Sequence, residues 1–128
     1  VLIIVGHGPE EAADNVPDLK ILQAHADRLK SRKQYADVRL INLQDDAILP
    51  VRESNVRRLR AWIQQAAKSG KKVVVVPVAG ASFGVQQHIK TDLRGLEYTF
   101  AERGLSENPK FVQWVDSLVA TALTGRPM

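Results

Sequence analysis

Two histidines in glycine-containing settings are the residues best suited to chemistry. His7 stands between Gly6 and Gly8, directly after the aliphatic run Val1-Leu2-Ile3-Ile4-Val5. His88 follows the small-residue stretch Ala79-Gly80-Ala81-Ser82-Phe83-Gly84. Neutral imidazole binds cobalt, nickel, iron and zinc, and its ordinary pKa of about 6.5 lets it take up a proton near neutral pH. Glycine beside it permits unusual backbone angles and close approach to the main chain. The third histidine, His25, lies one helical turn from both Leu22 and Leu29 and reads as a helix-flank residue. The chain has no cysteine. Thiolate nucleophiles, thiolate metal sites and disulfides are excluded, while the compartment stays open.

These residues need elements to hold them. Residues 1–5 are too few for a helix with its own core face and predict a strand buried on both sides. After the polar stretch 9–15, Asn15 is a candidate helix cap, with Pro17 and Asp18 in the first turn. Leu19, Leu22, Ala26 and Leu29 then predict a helix over 15–33. Residues 38–43 predict a second strand whose partial alternation suggests an edge, and 44–50 a loop carrying Asp45 and Asp46. Val56, Leu59, Ile63 and Ala66 mark a second helix ending at Gly70. Val73-Val74-Val75-Val76-Pro77-Val78 predicts a central strand. Residues 85–94 predict a short helix, 96–100 a fourth strand, and Asn108-Pro109 the cap of a last helix. The expected core stripe of that helix is Val112, Val115, Leu118 or Val119, and Ala122.

Alternating strands and helices predict an α/β fold: a three-layer, doubly wound, parallel four-stranded sheet of the flavodoxin-like type, strand order 2-1-3-4, in one domain over 1–128. First and third strands would then be neighbours, about 4.8 Å apart. His7 and His88 would face one crevice at their carboxyl ends.

Composition narrows the function classes. Hydrophobic and charged contents of 45% and 25% suit a globular domain. With 18 basic and 14 acidic residues interspersed, the net charge of +4 is not that of a dedicated nucleic-acid binder. No apolar run reaches the length of a membrane span. Arg52, Arg57, Arg58 and Arg60 predict a solvated helix face, and Trp62 and Trp114 core or interface positions. No phosphate-binding glycine motif is present. The histidine phosphatases need an arginine directly before the histidine of their first strand, where this chain has Gly6.

Gly6-His7-Gly8, the valine-rich strand ending in Pro77, then Gly84 and His88-Ile89-Lys90-Thr91-Asp92-Leu93, together resemble the class II tetrapyrrole chelatases, above all the small CbiX-type group acting on sirohydrochlorin. The resemblance extends over nearly the whole chain. It implies a lyase of tetrapyrrole or cobalamin biosynthesis, with His7 and His88 binding an incoming divalent ion (cobalt, iron or nickel) and accepting pyrrole protons. The metal is then substrate, and no organic cofactor is implied. Gly8, Gly80, Ser82, Phe83, Gly84 and Lys90 would hold the macrocycle, with Arg94 a further partner for its carboxylates.

The pattern departs in three places. Thr91 stands where the family has a glutamate, Gln86 and Gln87 where it has glycines, and Pro9-Glu10 where it has Ser-Arg. Glu10, Glu11, Asp45 and Asp46 are the candidates to replace the missing carboxylate. The alternative function is a non-catalytic module binding metal or tetrapyrrole, a degenerate chelatase half. The expected partner is a tetrapyrrole, with neither nucleic acid nor a membrane span. A homodimer or a fused second chelatase-like domain fits the family. The chain opens at Val1 inside a strand, so the reading allows for a longer protein and a leader beyond this chain; the family itself implies the cytoplasm.

Overall fold

A computed structural model describes residues 1–78 and 85–125, except the side chain of Leu105. The strands are β1 (Leu2–Gly6), β2 (Val38–Asn42), β3 (Val74–Val78) and β4 (Thr99–Phe100). The helices are α1 (Ala12–Ser31), α2 (Leu49–Lys68), α3 (Val85–Asp92) and α4 (Pro109–Thr124), with a 3-10 turn at Leu105–Glu107 before the last. All strand pairs are parallel, in the order β2-β1-β3-β4. The predicted α/β architecture is therefore the one observed. Every residue of β1 is buried, and Gly6 stands level with Asn42 on one side and Val78 on the other.

Alternation along β1 divides the core into two layers. Ile3 and Val5 point into the larger one, with Leu59 and Ile63 from α2, Ile89 from α3 and Leu93 just beyond it. Leu2 and Ile4 face α1 across Ala26. The rigid centre of the molecule thus lies directly behind the His7 turn.

Four expectations need correction. Helix α1 begins at Ala12, and Asn15 is not its cap, because the Asn15 amide is engaged by residues of the β2 exit. Strand β4 is reduced to Thr99–Phe100, since the chain from Gly95, with φ of +85°, reaches the sheet only beside Val74 and Val75. The stripe of α4 is not core: the helix buries no residue, and Trp114, Val115, Leu118 and Val119 are exposed. Amphipathic spacing states that one face favours cover, not which surface covers it. Its cap is as expected, with Asn108 Oδ1 accepting from the Lys110 amide at 2.9 Å. Finally, the arginine-rich helix is not a uniformly solvated face. Arg57 and Arg58 are exposed, but Arg52 and Arg60 are half-buried and reach α3 and the turn beyond it. Trp62 packs at the core edge under the Arg39 guanidinium, 5.2 Å from the ring centre. Among the described residues no helix is long and apolar enough to cross a membrane.

Candidate functional site

The His7 turn is shaped by the end of β2. The Leu43 amide donates to Gly6 O at 3.0 Å, and the Gln44 amide to His7 O at 2.7 Å, so the ladder continues past both strands. The Asn42 side chain fills the space under the turn. A Cβ on Gly6 would overlap Asn42 Oδ1, and one on Gly8 would lie 2.5 Å from Asn42 Cβ, on a backbone already at φ +72°. Both glycines are therefore required by packing. Asn42 Nδ2 donates to Asn15 Oδ1 at 2.9 Å and to Asp18 Oδ2 at 2.6 Å, which fixes the amide's orientation. Gln44 donates to Pro9 O, and Asn55 donates to Gln44 Oε1 at 3.1 Å. This polar network ties α1, the β2 exit and α2 to the turn that carries His7.

His7 Nδ1 lies 2.9 Å from Gly8 O. A carbonyl only accepts, so Nδ1 carries the proton and donates, and Nε2 is left facing outward. Nε2 stands 3.5 Å from Asp46 Oδ2, whose side chain is largely solvent-exposed.

His88, on α3, forms the counterpart. Its Nδ1 stands 3.6 Å from Asp45 Oδ2, beyond hydrogen-bond length. The Asp45 side chain is only 4% exposed, and neither of its oxygens has a hydrogen-bond partner among the described residues. On the far side of Asp45, Arg52 Nε approaches Oδ1 at 3.2 Å. Arg52 Nη2 donates to both oxygens of Asp92, at 2.9 and 3.0 Å. The Asp92 hydrogen bonds, opposed by desolvation, hold the Arg52 guanidinium above its usual pKa. Arg60 Nη1 donates to the carbonyls of Asp92 and Arg94, closing the carboxyl end of α3. Consecutive residues of one loop, Asp45 and Asp46, thus each meet one of the two histidines.

The other predicted site residues lie as follows. The Lys90 ammonium pairs with Glu102. The Thr91 hydroxyl donates to Gln87 O at 3.1 Å, bonding its own helix. Glu10, Glu11 and Arg94 are exposed. Gly80, Ser82, Phe83 and Gly84 lie outside the described residues. Of the four candidate carboxylates, Asp45 and Asp46 are the two that meet a histidine. Sequence reasoning did not find Asn42, Arg52 or Asp92. Asn42 carried a usable signal, as a polar residue at the end of β2 directly after the aliphatic pair Leu40-Ile41. Asp92 lies in the His88–Leu93 motif but without an assigned role, and Arg52 carried no signal.

Among the described residues, no three His, Asp or Glu side chains converge as a ready metal site. Each histidine is instead half of a separate His–Asp pair. A groove of 530 Å³ lies at the opposite end of the sheet, lined by Ala67, Lys72, Val73, Glu97 and Tyr98. It holds no imidazole, whereas His7 and His88 both meet the loop that follows β2. Comparison of the chain with protein-family models, curated proteins and solved structures finds no match.

Proposed function

We propose that this domain binds a divalent metal ion, cobalt or iron, and delivers it into a tetrapyrrole such as sirohydrochlorin. The observation that carries the reading is that two imidazoles, His7 on the turn after β1 and His88 on α3, each stand beside a carboxylate of the Asp45–Asp46 loop. Insertion replaces two pyrrole N–H protons with a metal ion. It therefore needs a weak metal site, a proton acceptor and an apolar surface against the macrocycle. Two-ligand His–Asp pairs suit an ion that must be released, since a closed four-ligand site would retain it. Imidazole and carboxylate can both accept protons. Ile48 and Leu49, directly after the aspartates, are 71% and 67% exposed and offer an apolar lip beside the pairs.

The test is the absorbance change of sirohydrochlorin mixed with Co2+ or Fe2+ and the protein. Acceleration over the spontaneous reaction, abolished in His7→Ala/His88→Ala, is expected. No acceleration, or full activity in the double variant, would overturn the reading.

A second reading, a carrier that binds metal or tetrapyrrole without turnover, is favoured by Thr91. Its hydroxyl is committed to Gln87 O and offers no carboxylate. Stoichiometric binding without acceleration distinguishes it.

A further inference from the structure

Asp45, Arg52 and Asp92 form a cluster whose side chains are 4%, 24% and 10% exposed. Both carboxylates meet the same guanidinium, and among the described residues Asp45 Oδ2 is left without a hydrogen bond and largely removed from water. Buried charge of this kind is costly unless a cation meets it. Arg52 is shared between them, with Nη2 donating to both oxygens of Asp92 and Nε 3.2 Å from Asp45 Oδ1. Arg60 Nη1 donates to the carbonyls of Asp92 and Arg94, and Lys90 pairs with Glu102, so neither contacts Asp45 in these bonds. The charged or titratable group that meets Asp45 at Oδ2 is His88.

The spacing of that contact matters. At 3.6 Å, His88 Nδ1 and Asp45 Oδ2 are too far apart to bond each other. Nitrogen and oxygen ligands about 2.0–2.2 Å from one tetrahedral ion stand roughly 3.4 Å apart. The pair is therefore spaced for a shared cation. His7 and Asp46, at 3.5 Å, have similar spacing, but Asp46 is 74% exposed and solvated, so nothing there demands a counter-charge.

We propose that Asp45 is a direct ligand of the incoming divalent ion, paired with His88, and that the Arg52–Asp92 clamp positions it. This rests on the metal-delivery reading and supplies the carboxylate that Thr91 does not provide. Arg52 fixes Oδ1 and leaves Oδ2 toward the imidazole. Asp92 holds Arg52 with two hydrogen bonds, so the guanidinium that positions Asp45 is itself fixed.

The test is Co2+ alone, titrated into the full chain and followed by the visible ligand-field bands of cobalt and by calorimetry. Asp45→Asn and His88→Gln should each weaken binding about tenfold or more. The double variant should lose little beyond either single change, as expected of two ligands on one ion. If His7→Ala or His88→Gln weakens binding and Asp45→Asn does not, the assignment of Asp45 fails and the metal-delivery reading stands. Fully additive losses also overturn the assignment. If the unaltered protein binds no Co2+, both fail. Should Asp45→Asn not fold, paramagnetic broadening in the unaltered protein decides. Resonances of Asp45 and His88 must broaden first, and broadening centred elsewhere contradicts the proposal.

Discussion

Gly6 and Gly8 look like freedom for the His7 turn, yet Asn42 makes them a packing requirement. Gly6→Ala must displace a buried amide held by Asn15 and Asp18, and Gly8→Ala adds backbone strain at φ +72°. Each should cost about 2 kcal/mol or more in urea unfolding, in the range of overpacked sites. Loss below about 0.5 kcal/mol would mean the turn is not built on Asn42. Arg52→Gln leaves Asp45 and Asp92 as two buried carboxylates without a cation. It should destabilise by about 3 kcal/mol at neutral pH, measured the same way. Asp37 is a milder case. The Arg39 hydrogen bond, opposed by desolvation and aided by Lys30, holds its carboxyl below the usual range. A lowered folded-state pKa adds stability that is present above the unfolded value of about 3.9 and lost as pH falls through the lower folded value. Partners this exposed limit the effect to under about 1 kcal/mol. Asp37→Asn should accordingly lower the melting temperature slightly at pH 6 and not at pH 2.

At the scale of elements, α4 is the outlier. It has a proper asparagine cap and Gly125 at φ +67° to end it, but its apolar stripe meets no core. Among the described residues, its hydrogen bonds are therefore supported by its caps, local side-chain contacts and helix propensity rather than by a core, and short isolated helices are marginal in water. Backbone amides of α4 should exchange with solvent far faster than those of β1, and Asn108→Ala should speed that exchange without moving the global unfolding midpoint. Equal protection of the two elements would contradict this arrangement. In the proposed function the work falls instead to the 44–50 loop and the start of α2, through Asp45, Asp46, Ile48 and Leu49. Ile48→Ser/Leu49→Ser should raise KM for the tetrapyrrole severalfold with kcat little changed, because an apolar lip binds ground and transition states alike.

For the molecule as a whole, the strand order and the location of the histidines were legible because they follow from local pattern. A five-residue aliphatic run is a buried strand, and a parallel βαβ order brings the first and third strand exits together. The side-chain partners were not legible. Arg52 sits among Arg57, Arg58 and Arg60, and nothing in the spacing says that Arg52 and Arg60 turn to α3 and the turn beyond it while Arg57 and Arg58 face solvent. The role of Asp45 depended on burial, which two adjacent aspartates conceal: one side chain is 4% exposed and the other 74%. The stripe of α4 failed for the related reason that amphipathicity is a property of one element, whereas cover belongs to the assembly of several.

The central claim is that a divalent ion is held at the carboxyl edge of this sheet by the His–Asp pairs. Anomalous diffraction at the cobalt edge, from crystals grown with Co2+, tests it most directly. The account predicts a peak about 2.0–2.2 Å from His88 Nδ1 and Asp45 Oδ2. A cobalt peak elsewhere on the molecule, with none beside either histidine at millimolar metal, would contradict it.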